Sequence, residues 1–291
     1  MNWVPLLFIN DVCHQLHSSS LKELNQLTKS WSKFGSDHCG KRREFAFNCK
    51  VDDKEGAYFL DKSHGSSFFG QICDLDSEYD RITSVTCEEK ENRRRIRVSL
   101  EELENDVLPI IVPLAANCSW QYHSQESSAE LIFKAFKSCH GINIIQLEKQ
   151  SQESRDFVSR QVEIGNVEEL HFQTNASVTW PDRKEFAKTL RIFVNSSRFK
   201  GLRALHRLEN DFELVALFLK RALAGELKAK ASIRIDGITF SKSGPSTLHR
   251  EHRDDDSEKI AWRIPKSNCR IVDEWGKKGC FPKTVLLKVV E

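Results

Sequence analysis

The chain has almost no excess charge: 44 Lys and Arg against 42 Asp and Glu leave a net +2 over 291 residues. No global field therefore draws it to nucleic acid or to an anionic membrane surface. Long apolar runs are also missing. The longest stretches, such as Val107 to Ala116 with its two prolines, fall well short of the roughly 20 residues that span a bilayer as a helix. No positively charged segment precedes an apolar one at the N-terminus, which speaks against a secretory leader. The nine cysteines are odd in number and contain no C-x-x-C pair, so neither a disulfide framework nor a zinc quartet is indicated. A cytoplasmic or nuclear compartment is the expectation. Three N-x-S sequences, at Asn117, Asn175 and Asn195, matter only in a secreted chain and are read as chance.

Motifs that carry chemistry are equally scarce. There is no G-x-S-x-G or H-E-x-x-H, and Lys242-Ser-Gly-Pro-Ser-Thr247 lacks the spacing of a phosphate-binding loop. His249 and His252 with Asp254, Asp255 and Asp256 are the nearest approach to a metal cluster, followed by Cys139-His140 and His38-Cys39. A charged surface loop over Lys242–Lys259 and ordinary thiols beside surface histidines are the plainer readings. No catalytic residue, metal or cofactor is expected.

The ordered part of the sequence is its first 31 residues. Phe8, Val12 and Leu16 recur every four residues and share one side of a helix, with Cys13 beside them. Pro5 suits the entry to that helix, because a first-turn proline lacks only an N–H that would have no intrahelical partner. Ser20 with Glu23 three residues on has the capping-box spacing for a second helix, whose apolar residues are Leu21, Leu24 and Leu27. Two such short helices are marginal in isolation. Trp31 and Phe34 are the expected start of a third element that covers them.

The register of Val4-Pro5, Phe8, Val12-Cys13, Leu16, Ser20-Leu21, Leu24, Leu27 and Trp31 resembles the F-box, without a gap. The opening Met1-Asn2-Trp3-Val4-Pro5-Leu6-Leu7-Phe8 is similar to that of the divergent nematode F-box-like group, and Trp262-Arg-Ile-Pro265 extends the likeness toward the C-terminus. The resemblance implies a substrate-recognition adaptor that docks a Skp-type protein and thereby joins a cullin–RING ubiquitin ligase. It carries the docking role to Pro5, Leu6, Phe8, Val12, Leu16, Leu21 and Leu24. Ubiquitin transfer would reside in the partners, so no enzyme activity is implied. The rival reading is a non-catalytic scaffold in which these helices are only structural.

Beyond the helices an α+β architecture is expected: a helical module over 1–36, an antiparallel β region over 37–100, βα units over 101–230 and a C-terminal β region over 231–291. The β region follows from short alternating runs such as Phe45–Phe47, Ala57–Leu60 and Ile82–Val85, punctuated by Gly, Asp and Ser. The basic cluster Arg93, Arg94, Arg95 and Arg97 follows Glu88, Glu89 and Glu91 and is read as a solvated hairpin flank. Helical stripes at Leu131–Phe136, Phe186–Val194 and Phe212–Leu223 then alternate with strand-like runs, which implies a parallel sheet. Val167-x-x-Leu170-x-Phe172-x-x-Asn175 fits the leucine-rich-repeat template, and Leu202 to Asn210 fits it partly. In that register Glu169, His171, Gln173 and His206, with Gln146, Glu148 and Ala204, project from an open sheet face. Glu169, His171, Gln173 and His206 are the candidate contacts for a protein target.

Overall fold

The computed structural model describes the chain outside residues 1–3, 17, 25, 28, 53, 63–67, 70–71, 89–94, 124–129, 149–150, 173–182, 205–210, 237–248, 255–258, 264–268, 275–283 and 290–291. It is a mixed helix and strand structure that divides into two compact units, residues 1–144 and 145–291.

The first unit opens with helices α1 (Leu6–Gln15), α2 (Ser18–Leu24) and α3 (Lys29–Lys41). Pro5 precedes α1 in extended conformation, and its carbonyl accepts the first helical bond from the Ile9 N–H at 3.1 Å. Ile9, Cys13 and Leu21 form the buried centre of this module, packed by Val4, Leu16, Leu24, Trp31, Phe34 and Cys39. Trp31 and Phe34 thus supply the covering element, but α3 runs to Lys41 rather than ending at residue 36. The second helix starts earlier than its capping-box pattern suggests. Ser20 sits inside α2, and Ser18 at its first turn instead donates its hydroxyl to the Glu44 carboxylate.

Strands β1 (Glu44–Val51) and β2 (Glu55–Lys62) form an antiparallel hairpin; β3 (Phe68–Phe69) and β5 (Ile96–Ser99) also pair antiparallel with β2. The expected antiparallel meander fails at β4 (Arg81–Cys87), which lies parallel to β1 and has β6 (Ala115–Tyr122) parallel on its other side. Ion pairing sets that direction. Arg43, one residue before β1, grips Asp80, one residue before β4, through Nε at 2.7 Å and Nη2 at 2.6 Å, so the two strands must start side by side. Asp80 is fully buried and also accepts from the Asp76 N–H, which suits a carboxylate that is costly to bury unpaired.

Between β5 and β6 the chain is helical: α4 (Leu100–Glu102), a π turn over Leu103–Val107 and α5 (Leu108–Leu114). Its start is capped by Ser99, which accepts from the Glu102 N–H while the Glu102 carboxylate accepts from the Ser99 N–H. Pro109 falls at the opening of α5, where a missing N–H costs little. Trp120 on β6 packs against Phe133 of α6 (Glu130–Phe136) with ring centroids 5.0 Å apart.

The unit boundary falls inside β7 (Ile142–Leu147). In the second unit, α7 (Gln152–Ile164), β8 (Glu169–Phe172), α8 (Arg183–Asn195), β9 (Gly201–Ala204), α9 (Asp211–Leu223) and β10 (Ser232–Asp236) follow in strict alternation, with β8, β9 and β10 parallel. The helices cover one side of this sheet. Phe172 meets Phe186 of α8 edge to face at 5.5 Å, and Phe199 joins Phe193 to Phe218 of α9. The final strands β11 (His249–Asp254), β12 (Lys259–Arg263), β13 (Cys269–Glu274) and β14 (Thr284–Val289) are antiparallel, with β14 beside β10. The charged stretch expected as a loop therefore holds a strand, β11. Its ladder with β12 satisfies backbone groups whatever the polarity of the side chains.

Gly141 makes the tightest approach among the described glycines: a Cβ there would lie 1.8 Å from the Ala115 carbonyl oxygen, while the Gly141 carbonyl accepts from the Cys118 N–H at 2.7 Å. Gly141→Ala must displace backbone on both sides. A loss of about 1–3 kcal/mol, the usual range for overpacking, is expected as a lower urea midpoint; an unchanged midpoint would contradict this packing.

Candidate functional site

The C-terminal turn of α1 leaves carbonyls without intrahelical partners. Three distant segments supply donors. Arg42 donates through Nη1 to Leu16 O and through Nη2 to Cys13 O, both at 2.6 Å; Arg81 donates through Nε to His14 O at 2.8 Å; Asn117 donates through Nδ2 to Gln15 O at 2.8 Å. Asn117 does so from a left-handed backbone conformation (φ 50°), which asparagine tolerates better than most side chains. Arg81 is almost wholly buried, and its remaining donors reach the Asp80 and Glu78 carbonyls. Burial, reinforced by the neighbouring Arg42 cation, lowers its pKa to about 9.

Anchoring one end of α1 leaves its first turn outward. Leu6, Leu7 and Phe8 are exposed, Leu7 to 79 %, and Leu27, in the turn after α2, is exposed to 56 %. Pro5 is exposed beside them, while Val12 is half-buried on the next turn. The residues assigned to a docking face therefore separate. Pro5, Leu6 and Phe8 point outward; Leu16 and Leu24 pack into the module; Leu21 is fully buried and closes its interior. The four-residue stripe marks a flank of the helix, because Ile9 and Cys13 form its inward line. Leu7 was missed by that stripe, and only the unbroken Leu6-Leu7-Phe8 run signals it.

His14 and His38 sit in the same junction. His38 is fully buried, with Nε2 donating to Asn10 Oδ1 at 2.8 Å and Nδ1 buried without a hydrogen-bond partner. Its ring tilts against Tyr79 at 5.2 Å. Both histidines have their pKa lowered to about 4, first by burial and then by the Arg81 and Arg42 cations.

On the second unit, Leu170 and Phe172 of β8 are buried against the helices, whereas Glu169 and His171 lie on the opposite side. His171 Nε2 is 3.2 Å from Glu169 Oε2, and hydrogen bonding to His171 depresses the Glu169 pKa. Gln146 and Glu148 are half-buried. Ala204 is buried, so β9 is set one residue away from the expected register and presents Arg203 outward instead; a one-residue slip exchanges the two faces of a strand. Gln173 and His206 lie outside the described residues, as do Arg93 and Arg94. Arg95 and Arg97 pair with Glu88 and Glu55.

Among the described residues, no group of His, Cys, Asp and Glu is placed to hold a metal ion, and no helix is long and apolar enough to cross a membrane. Comparison of the chain with known protein families, with curated proteins and with solved structures finds no match.

The two neutral histidines make stability depend on pH. Their pKa values in the folded state lie below the ordinary 6.5, so between about pH 6.5 and 4 the unfolded chain binds protons that the folded chain refuses. Stability should fall as pH drops through that window. The urea midpoint is expected to decline from pH 7 to pH 5, and His38→Gln should flatten the decline; equal slopes for wild type and variant would exclude His38 as a cause.

Proposed function

We propose that this chain is an F-box-type substrate-recognition adaptor: α1 to α3 dock a Skp-type protein, and the second unit, an irregular leucine-rich-repeat-like βα array, presents a target protein to a cullin–RING ubiquitin ligase. The observation that supports it most is an apolar first turn of α1, Pro5 to Phe8, held in solvent in the register that resembles an F-box. Isolated exposed leucines need no explanation, but a contiguous exposed apolar run is the composition of a docking surface. The contribution of the chain would be to raise the concentration of target near the ligase.

The rival scaffold reading draws its support from the Arg42 and Arg81 bonds, which give the helices a structural duty whether or not they bind a partner. Co-expression with a Skp-type adaptor separates the two. Wild-type chain should capture the adaptor, and Leu7→Ala with Phe8→Ala should weaken capture at least about tenfold, since buried apolar anchors dominate binding energy. Both side chains are exposed, so the variant keeps its far-ultraviolet circular dichroism. Failure of the wild type to bind, or undiminished capture by the variant, selects the scaffold reading.

A further inference from the structure

Two cysteines from distant parts of the chain meet in the sheet of the first unit. Cys49 of β1 and Cys87 of β4 are directly paired in the parallel register, and their Sγ atoms are in hydrogen-bond contact at 3.3 Å. An irregularity near the start of the two strands produces this meeting. Phe45 pairs with Ile82 but Ala46 with Ser84, so Thr83 is an extra residue on β4. Without that bulge Thr86 would oppose Cys49, and Cys87 would lie one step further along, on the other face of the sheet. The row continues on both sides. Tyr58 pairs with Cys49 and Tyr122 with Cys87, and all four side chains are buried. Backbone bonds hold both positions as well: the Cys49 carbonyl accepts from the Glu88 N–H at 3.1 Å, and the Cys87 carbonyl from the His123 N–H at 2.9 Å. The Cys118 and Cys139 thiols differ, since they donate to the Ser119 and Val112 carbonyls.

We propose that Cys49 and Cys87 are a redox-sensitive pair that a peroxide converts to a disulfide, clamping the carboxyl ends of β1 and β4. Adjacent strands lie about 4.8 Å apart, inside the roughly 4.4–6.8 Å between Cα atoms that a disulfide spans, so bond formation needs little beyond closure of the two sulfurs. In the first step one thiol attacks the peroxide: the O–O bond breaks, an S–O bond forms, and hydrogen peroxide leaves a sulfenic acid and water. In the second, the other sulfur displaces the hydroxyl, which departs with that thiol's proton as water; two electrons have passed from the sulfurs to the peroxide. The hydrogen bond to Cys49, and then burial, hold the Cys87 thiol well above its ordinary pKa, so it carries little thiolate at neutral pH and reacts slowly with the oxidant. Condensation is fast, because the partner sulfur is already in contact. The pair therefore answers sustained oxidation rather than a brief pulse. The Arg43–Asp80 ion pair already joins the starts of the same two strands, and the disulfide would join their ends. None of this rests on the adaptor reading.

The test treats the full chain, first reduced and desalted, with hydrogen peroxide, blocks the remaining thiols with iodoacetamide, and digests with trypsin in the absence of reductant. Mass spectrometry should find the peptide 44–50 joined to the peptide 82–90, two hydrogens lighter than their sum and separated by dithiothreitol. The urea midpoint of the oxidised chain should rise by roughly 1 M, because the cross-link closes a long loop in the unfolded state, and dithiothreitol should reverse the rise. Cys49→Ala, compared with its own reduced form so that any cost of the substitution cancels, should show neither the cross-link nor the rise. Recovery of Cys49 and Cys87 as separate alkylated or sulfonic-acid peptides would overturn the proposal, as would linkage of either to another cysteine. So would an equal yield of the cross-link from chain oxidised while unfolded in urea, or a midpoint rise that persists in Cys49→Ala.

Discussion

The first unit depends on one constraint: the last carbonyls of α1 need donors, and α1 is too short to stand alone. Arg42, Arg81 and Asn117 meet that need from the end of α3, the start of β4 and the body of β6. One helix end thereby holds three segments, the farthest of them 102 residues along the chain from its acceptor. Removing a charged donor from such a site leaves buried acceptors unsatisfied, so the helices and the sheet should lose order together. The same device recurs in the second unit, where Arg221 of α9 donates to the Val194 and Ser196 carbonyls at the end of α8.

Concentrating guanidinium groups at the junction has an electrostatic consequence. Arg42 and Arg81 neutralise carbonyl dipoles rather than carboxylates, and so their charge still acts on nearby bases. His14 and His38 respond by remaining neutral. Arg43 is different, because the buried Asp80 carboxylate balances it and raises its pKa. Three neighbouring cations thus divide into two that cap a helix and one that sets the direction of a strand.

Both units are asymmetric in what their elements bury. In α1 the anchored end is buried and the first turn carries Leu6, Leu7 and Phe8 into solvent. In the second unit Leu170, Phe172, Leu202, Ala204 and Ile233 face the helices, while the other side of the same strands carries charged and polar residues. One side of each element supplies the buried contacts that stabilise it.

Local patterning was legible wherever a segment's own burial decides its conformation. The apolar periodicity of Phe186–Val194 and Phe212–Leu223, the alternation of Phe45–Phe47 and the run Ile142–Leu147 all sit in the elements they suggest. So do Pro5 at the start of α1 and the covering role of Trp31 and Phe34. Helix α7 was not legible from apolar spacing alone, because its buried face includes Ser154, Arg155 and Gln161 beside Phe157 and Val158. What only the tertiary structure decided is pairing and direction. Apolar runs specify that strands form, but a long-range ion pair between Arg43 and Asp80 makes β4 parallel to β1, and neighbouring strands decide that Arg203 rather than Ala204 faces outward. The opening pattern, likewise, was read from sequence as one apolar helix face. Contacts from α3 and β4, far along the chain, divided it into an interior at Ile9, Cys13 and Leu21 and an exposed turn at Pro5 to Phe8.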